Sequence, residues 1–153
     1  MSEQVIRTEI YAGEFYKQLD EKRRVTIPAK WRFSGDDAEN SYLAIPTNYG
    51  AISVMPPDMT AQLREKISKI TMANAEKRRA LANFMRDACT FGCDKQGRIM
   101  LDESILSKAK ITREVCMAGM GATFEIWNPD LRKEWLAQSS TGADAALLED
   151  LGI

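Results

Sequence analysis

The alternation of apolar and polar residues predicts short β-strands in two well-separated parts of the chain. The segments RVTIP (24–28) and RIMLD (98–102) combine β-branched residues with a partial alternation of apolar and polar positions, which is typical of short strands. Pro28 limits the first strand, because proline has no N–H to donate to a β-ladder. Turn residues between apolar runs predict two further hairpins, at 42–46 with 51–55 and at 114–121 with 122–127.

Helical spacing of apolar residues predicts helices between and after these strands. Leu63, Ile67 and Ile70 stand at i, i+4 and i+7, and residues 81–88 repeat this spacing. We expect these apolar faces to pack on the sheet, although part of this surface could instead close a contact between subunits. The predicted helices run over 58–70 and 74–86, over 102–110 with Asp102 or Ser104 as N-cap, and from Pro129 with Asn128 as N-cap.

The two strand segments belong to a repeated unit. When Asp20 is aligned with Asp94, 74 residues later, Arg24 falls on Arg98 and the following apolar positions also coincide. Internal repetition of this kind fixes the architecture, and it predicts an α+β fold of two repeated β-hairpin/α units. The predicted parts are a first repeat at 1–72, a connecting helix at 73–87, a second repeat at 88–140, and a flexible or weakly helical tail at 141–153.

Both units carry the pattern Asp-x-x-x-Arg between two predicted strands. A three-residue hairpin loop places its third residue in the left-handed conformation, which glycine adopts without steric cost. In DKQGR that residue is Gly97, and Asp94 and Arg98 are expected to face each other across the loop. In DEKRR the same slot holds Arg23. Either the first loop adopts another geometry, or Arg23 is strained and retained for its charge.

Positive charge is concentrated around the first loop. The formal net charge of the chain is −1, whereas residues 17–32 carry +4 and the remainder therefore −5. A nucleic-acid-binding domain is usually basic, but phosphate contacts depend on the local field. Stiff turns that carry Arg, Lys and Gln can reach phosphates and base edges in a major groove. The predicted DNA contacts are Lys22, Arg23, Arg24, Lys95, Gln96 and Arg98. The alternative is a salt-bridged turn with solvated basic tips.

Composition removes most classes of enzyme. The chain has no histidine, which excludes Ser-His-Asp and Cys-His catalysis and every histidine-containing metal motif. Cys89, Cys93 and Cys116 are odd in number, and no secretory signal is visible, so a disulfide framework is not expected. No apolar run approaches the roughly 18 residues of a membrane span. We expect a cytoplasmic protein with no catalytic activity, cofactor or metal ion.

These motifs resemble the MraZ family of bacterial transcriptional regulators, within the AbrB-like swapped-hairpin group. The resemblance runs from about Tyr11 to Trp135 and rests on the doubled Asp-x-x-x-Arg pattern joined to FEIWNP. Arg23 is a departure, because the first motif of the family normally has glycine there. The matching residues are Asp20, Lys22, Arg24, Ile27, Pro28, Ala29 and Arg32 in the first unit, and 94–99, Val115, Gly119 and 124–127 in the second.

The resemblance implies a pseudo-dimeric swapped-hairpin barrel of two SpoVT-AbrB-like repeats. It further implies a ring-shaped homo-oligomer of roughly eight or more subunits. Such a ring would present its loops to short direct repeats in double-stranded promoter DNA. The expected target is the division and cell-wall gene cluster, including the protein's own gene, with repression as the effect and the nucleoid as the location. A competing hypothesis, based on net acidity and apolar helices, is an assembly or protein-interaction module without specific DNA binding.

Overall fold

The computed structural model of the protein describes residues 10–32, 41–138 and 142–153, which form an α+β fold with antiparallel strand pairing. The strands are β1 (Glu14–Gln18), β2 (Arg24–Thr26), β3 (Tyr42–Pro46), β4 (Ile52–Met55), β5 (Cys89–Phe91), β6 (Arg98–Met100), β7 (Glu114–Gly119) and β8 (Phe124–Trp127). The helices are α1 (Pro57–Ser68), α2 (Ala75–Met85), α3 (Glu103–Lys108), α4 (Pro129–Ala137) and α5 (Ala143–Asp150), and a 3-10 turn covers Ala29–Trp31.

Six of the strands form one sheet, and β2 and β6 form a separate two-stranded ribbon. The strand order in the sheet is β1-β7-β8-β4-β3-β5. The sequence repeat aligns β1 with β5, β2 with β6, β3 with β7 and β4 with β8. When each strand is replaced by the equivalent strand of the other repeat, the strand order of the sheet becomes β5-β3-β4-β8-β7-β1, which is the observed order read backwards. The two repeats are therefore related by a pseudo-two-fold axis, which passes through the cross-strand pair Val25 and Ile99 at the middle of the ribbon.

The strands on either side of each Asp-x-x-x-Arg loop do not form the ladder that the sequence predicts. β1 pairs with β7 and β5 pairs with β3, whereas β2 and β6 pair with each other. Each repeat thus contributes its first strand to the other repeat. Among the described residues the large sheet is open, with β1 and β5 as its edges, and the predicted barrel is not closed. The ribbon strands have three residues each, and Pro28 limits β2 because proline has no N–H to donate.

The predicted helices are present. α1 and α2 agree with the predictions at 58–70 and 74–86 to within two residues. Asn128 caps α4 by accepting from the N–H groups of Asp130 (2.9 Å) and Leu131 (3.3 Å), as predicted. Asp102 stands at the N-cap of α3, but its side chain makes no capping bond. In the described ranges, no helix combines the length and hydropathy required to cross a bilayer.

The predicted tail is helical over Ala143–Asp150, which agrees with its weakly helical alternative. The predicted boundary between the second repeat and the tail, at 140/141, lies outside the described residues. Residues 1–9 and 33–40 of the predicted first repeat also lie outside them. The exact limits of the two repeats therefore stay predictions.

The main core lies between the sheet and the ribbon and is shared by both repeats. The ring of Trp31, from the first repeat, lies 5.0 Å from the ring of Phe124 in the second and 5.1 Å from that of Phe15, measured between centroids. Burial of each such side chain stabilises the fold by about 1.5–3 kcal/mol. The apolar face of the ribbon is 0–2% exposed and consists of Val25, Ile27, Ile99 and Leu101. This burial anchors the strands that carry the two loops.

The other face of the sheet carries a smaller cluster beneath α4. Trp127 packs against Trp135 of α4, with 4.9 Å between ring centroids, and Tyr49 stacks on Trp135. Glu125 is only 2% exposed, and its carboxylate accepts from the hydroxyl of Tyr49 and from Nε1 of Trp127. Burial and this bond raise the pKa of Tyr49 to about 12. The FEIW segment of the resemblance is therefore a structural element whose buried carboxylate is held by neutral donors.

None of Cys89, Cys93 and Cys116 forms a disulfide bond in the described part of the chain. Cys89 and Cys93 both pack against the main core. Cys116 lies in the smaller cluster and is fully buried. Burial raises the pKa of the Cys89 and Cys116 thiols. Both are therefore protonated and poorly nucleophilic at neutral pH.

Candidate nucleic-acid interface

The two Asp-x-x-x-Arg loops share one hydrogen-bond network. In the first loop, Asp20 Oδ1 accepts from the backbone N–H groups of Lys22 (2.9 Å) and Arg24 (2.8 Å). Its Oδ2 accepts from Nε of Arg24 at 2.8 Å. Asp94 accepts the same three bonds from the equivalent donors of the second loop, each at 2.9 Å. The predicted pairing of each aspartate with its arginine is confirmed, and one carboxylate fixes both the turn and the guanidinium.

These bonds also keep the aspartates ionised. The backbone N–H of Arg24, followed by its side chain and the N–H of Lys22, lowers the pKa of Asp20 below its ordinary 3.8. The equivalent bonds lower the pKa of Asp94. Each loop is therefore held by a charged acceptor throughout the physiological pH range.

The question raised by Arg23 is answered by the backbone. Arg23 has φ 61° and Gly97 has φ 80°, so both loops place their fourth residue in the left-handed region. In each loop this residue donates its N–H to the carbonyl of the aspartate, at 3.0 Å. The first loop thus keeps the geometry of the second. Arg23 bears a strain on the order of 1–2 kcal/mol that glycine would avoid.

Arg32 of the first repeat covers the second loop. Its Nε donates to the carbonyl of Ile27 at 3.1 Å, and the N–H of Ile27 donates to the carbonyl of Gly97 at 2.8 Å. A Cβ placed on Gly97 would stand 2.1 Å from Nε and 2.2 Å from Cζ of Arg32. The guanidinium therefore occupies the space of a side chain at this position. The repeat aligns Arg32 with Leu106, which is buried in the core.

The two loops consequently differ in how an arginine reaches the fourth position. In the first loop Arg23 provides its own side chain, which is exposed. In the second loop Gly97 has no side chain and is buried, while Arg32 supplies a guanidinium from the other repeat. The pseudo-two-fold relation holds for the backbone of the loops and is broken by these side chains.

Arg24 and Arg98 lie on the same outer face of the ribbon. Arg24 pairs with Met100 and Arg98 pairs with Thr26, so all four side chains point away from the buried face. The two arginines are two residue steps apart along the ribbon, or about 7 Å. Each arginine side chain remains 29% exposed while bonded to its aspartate. The two guanidinium groups are thus presented on one face, at opposite ends of the three-residue ribbon.

The predicted contact residues form one continuous surface, which we call the loop-ribbon surface. Its loop tips are exposed at Lys22, Arg23, Lys95 and Gln96, and its centre is formed by Arg24 and Arg98. The sequence did not indicate two features of this surface: the outward ribbon positions Thr26 and Met100, and Arg32 beside Gly97. The position of Arg32 depends on a contact with residue 97, and no local pattern in the sequence indicates that contact.

Comparison with known proteins identifies the group to which this arrangement belongs. The chain is 32% identical over 146 residues to "Transcriptional regulator MraZ" of Syntrophomonas wolfei, which covers 94% of this chain and all of that protein. The chain belongs to the MraZ family. It is 30% identical to the MraZ regulator of Pediococcus pentosaceus and 26% identical to that of Clostridium acetobutylicum, each again over 94% of this chain and the whole relative. A family model described as "MraZ protein, putative antitoxin-like" matches residues 84–150.

Both loops lie within the similarity to other MraZ proteins. Alignments over 94% of the chain leave only its ends uncovered and therefore include residues 20–24 and 94–98. The match to the MraZ family model begins at residue 84 and includes the second loop alone. Membership of the MraZ family, which the sequence motifs indicated, is confirmed.

We predict that Arg24→Ala raises the pKa of Asp20 part of the way to 3.8, because the backbone bonds that lower it most are retained. Because the pKa of Asp20 is lower in the folded state than in the unfolded state, the ionised carboxylate stabilises the fold at pH values above the unfolded-state pKa. This contribution to stability is lost as the pH falls through the folded-state pKa. NMR titration of the carboxyl carbons between about pH 2 and 6 measures the change. Asp94 is the internal control and should not move. A wild-type pKa of Asp20 at or above 3.8 would contradict the loop geometry.

We predict that Gly97→Ala destabilises the fold by more than the roughly 1–2 kcal/mol expected from its φ alone, because the new Cβ displaces Arg32. Arg32→Ala removes the side chain with which the new Cβ would clash, but it leaves the backbone strain at residue 97. Urea unfolding of the two single variants and of the double variant should therefore give a coupling energy of about 0.5–3 kcal/mol between the two substitutions. Arg23→Ala with Arg32→Ala is the matched control and should be additive. Additivity in both pairs would show that Arg32 does not cover Gly97.

Proposed function

We propose that this protein is a sequence-specific DNA-binding transcriptional regulator that contacts the duplex through the loop-ribbon surface. The observation that carries the proposal is the pair Arg24 and Arg98, which lie two residue steps apart along the outer face of one ribbon and are flanked by exposed basic tips. A B-DNA major groove admits a two-stranded β-ribbon. Arginine can bond bidentately to guanine, and lysine can neutralise phosphates at the groove edges.

The roles of the six contacts follow from their positions. Arg24 and Arg98 have a fixed orientation, because each Nε is bonded to an aspartate, and their remaining N–H groups suit directional bonds to base edges. Lys22, Lys95 and Arg23 stand at the exposed tips and suit phosphates. Gln96 is placed to bond a base or a phosphate. Ionised Asp20 and Asp94, with Gly97, hold the turns and make no contact with DNA.

We further propose that the protein acts as a ring-shaped homo-oligomer on short direct repeats in promoters. One ribbon with two or three contacts binds weakly, whereas several ribbons on one scaffold gain affinity through effective concentration, on the order of 10²–10⁴-fold. This avidity offsets the net charge of −1. In this proposal the exchange of first strands between the repeats is the swapped-hairpin arrangement, which stiffens the scaffold behind the loops.

The family supplies the proposed target. We propose repression of the division and cell-wall gene cluster, including the protein's own gene, and hence a location on the nucleoid. The relatives are named as transcriptional regulators, and this supports regulation as the biological role. A protein-interaction module without specific DNA binding is the competing function, motivated by the exposed apolar residues of α2 and α5.

We predict that Arg24→Ala and Arg98→Ala each weaken binding to the protein's own upstream region by tenfold or more, since a directional base contact is worth about 1–3 kcal/mol. Fluorescence anisotropy at two salt concentrations, with a scrambled duplex for comparison, measures the loss. The matched control is Arg64→Ala, which removes an exposed arginine of α1 that is not part of the loop-ribbon surface.

The same titration separates the competing functions. Binding by both ribbon variants at the wild-type affinity would show that the loop-ribbon surface is not the contact. Absence of wild-type binding at about 150 mM salt, where specific regulators still bind, would favour the protein-interaction module. Equal affinity for the scrambled duplex would reduce the function to non-specific binding.

We predict that Arg23→Gly separates stability from binding. Relief of the strain at φ 61° is offset by the larger unfolded-state entropy of glycine, so stability should be unchanged or rise by up to about 1 kcal/mol. DNA affinity should fall, and the salt dependence of binding should decrease by about one phosphate contact. Arg23→Ala is the control that removes the charge and keeps the strain. Unchanged affinity in both variants would exclude Arg23 from the interface.

A further inference from the structure

The C-terminal helix α5 buries none of its side chains against the part of the chain that the structure describes. Every residue from 142 to 153 is exposed. Leu147, Leu148 and Leu151 are 56%, 47% and 62% exposed, and at spacings of three and four residues they lie on one face of the helix. A helix of eight residues is marginal in water without a partner for its apolar side. Another surface must therefore cover these leucines if α5 is to be stable.

The helix α2, which lies in the predicted connecting segment, occupies a place in the chain that corresponds to that of α5. α2 follows α1 as α5 follows α4, and the repeat aligns α1 with α4. α2 lies beside β3, with Leu81 and Met85 half-buried. Its Phe84 is nevertheless 61% exposed, at the rim of a groove of about 380 Å³ that Pro46 and Ala51 also line. An apolar recess therefore opens beside an exposed aromatic ring on α2.

Charge distinguishes the two helices. Residues 75–86, which cover α2 and its C-cap, carry a net charge of +3, and all the charged side chains among them are exposed. Residues 143–150 carry −3, from Asp144, Glu149 and Asp150, all exposed. Opposite charges around two apolar patches favour their contact with each other and disfavour the contact of either helix with its own copy.

We propose that α5 of one subunit docks on α2 of a second copy of the chain, with its leucines against Phe84 and the adjoining groove. This interface rests on the proposed homo-oligomer and identifies the contact that would build it. The two surfaces that meet are different, so the contact is heterologous and leaves one free α2 and one free α5 on each pair. Repetition of a heterologous contact generates a ring when the rotation closes.

Light scattering coupled to gel filtration, without DNA, tests the proposal. Wild-type protein should elute as a multimer. Leu147→Glu with Leu148→Glu, and separately Phe84→Glu, should each give monomers of 17.2 kDa that still unfold in a cooperative transition by circular dichroism. Met120→Glu is the matched control, because Met120 is an exposed apolar residue (48%) in the β7–β8 turn, and it should leave the multimer intact.

Mixing the two interface variants gives the decisive result. The α5 variant retains a normal α2, and the α2 variant retains a normal α5, so the mixture can form a single intact contact. It should yield 1:1 dimers that grow no further. A monomeric wild type, variants that keep the wild-type mass, or a mixture that stays monomeric would each overturn the proposal. Because these measurements contain no DNA, they do not test the role of the loop-ribbon surface. The anisotropy titration tests that role separately.

Charge reversal provides an independent arm. Arg78→Glu with Arg79→Glu should dissociate the multimer, and the additional changes Asp144→Lys and Glu149→Lys in the same chain should restore it by exchanging the signs of the two surfaces. Raising the salt concentration should weaken wild-type assembly, because exposed charge pairs are screened. If the variant with Arg78→Glu and Arg79→Glu alone still forms a multimer of the wild-type mass, charge complementarity does not contribute to the interface.

Discussion

The antiparallel pairing of β2 with β6 is the constraint on which the rest of the structure depends. Val25 and Ile99 face each other at its centre and are 2% and 0% exposed, so the ribbon is held to the core at the pseudo-two-fold axis. Because the partners come from different repeats, neither repeat forms the ribbon alone. The same pairing sets Arg24 and Arg98 two residue steps apart on the outer face, and one buried contact thereby determines the spacing of the candidate site.

Around this ribbon, aspartate converts a flexible loop into a rigid one. A single carboxylate accepts two backbone N–H groups and one guanidinium N–H, so the shape of the turn and the direction of the arginine are coupled. The fourth residue of each loop is left-handed, and its side chain takes no part in the hydrogen bonds of the aspartate. The two loops can therefore carry different side chains at this position and keep the same hydrogen bonds. Arg23 uses that position at a cost in strain, and Gly97 leaves it to Arg32. A duplicated loop has thus acquired two different surfaces on one backbone.

The sequence predicted what is local and missed what is long-range. The Asp-to-Arg pairing, the glycine at φ 80° and the Asn128 cap depend on residues within four positions of each other, and all are present. The exchange of β1 to β7 depends on contacts about one hundred residues apart, which alternation of apolar residues does not encode. The predicted strand pairing across the two Asp-x-x-x-Arg loops was therefore wrong. Arg32 was missed as part of the site for the same reason. The predicted hairpins of β3 with β4 and of β7 with β8 are confirmed.

Segregation of charge explains how an acidic chain can serve both proposed contacts. The loop-ribbon surface and α2 are both basic, whereas α5 is acidic and leaves the sheet after α4. If α5 covers α2 of a neighbour, assembly neutralises one basic surface and leaves the ribbon as the dominant positive field on each subunit. Phosphates are then attracted to the ribbons rather than to the helices. Assembly would in this way increase the number of ribbons that contact DNA and direct the phosphates to those ribbons. The same interface would then account for both the avidity of binding and the choice of the binding surface.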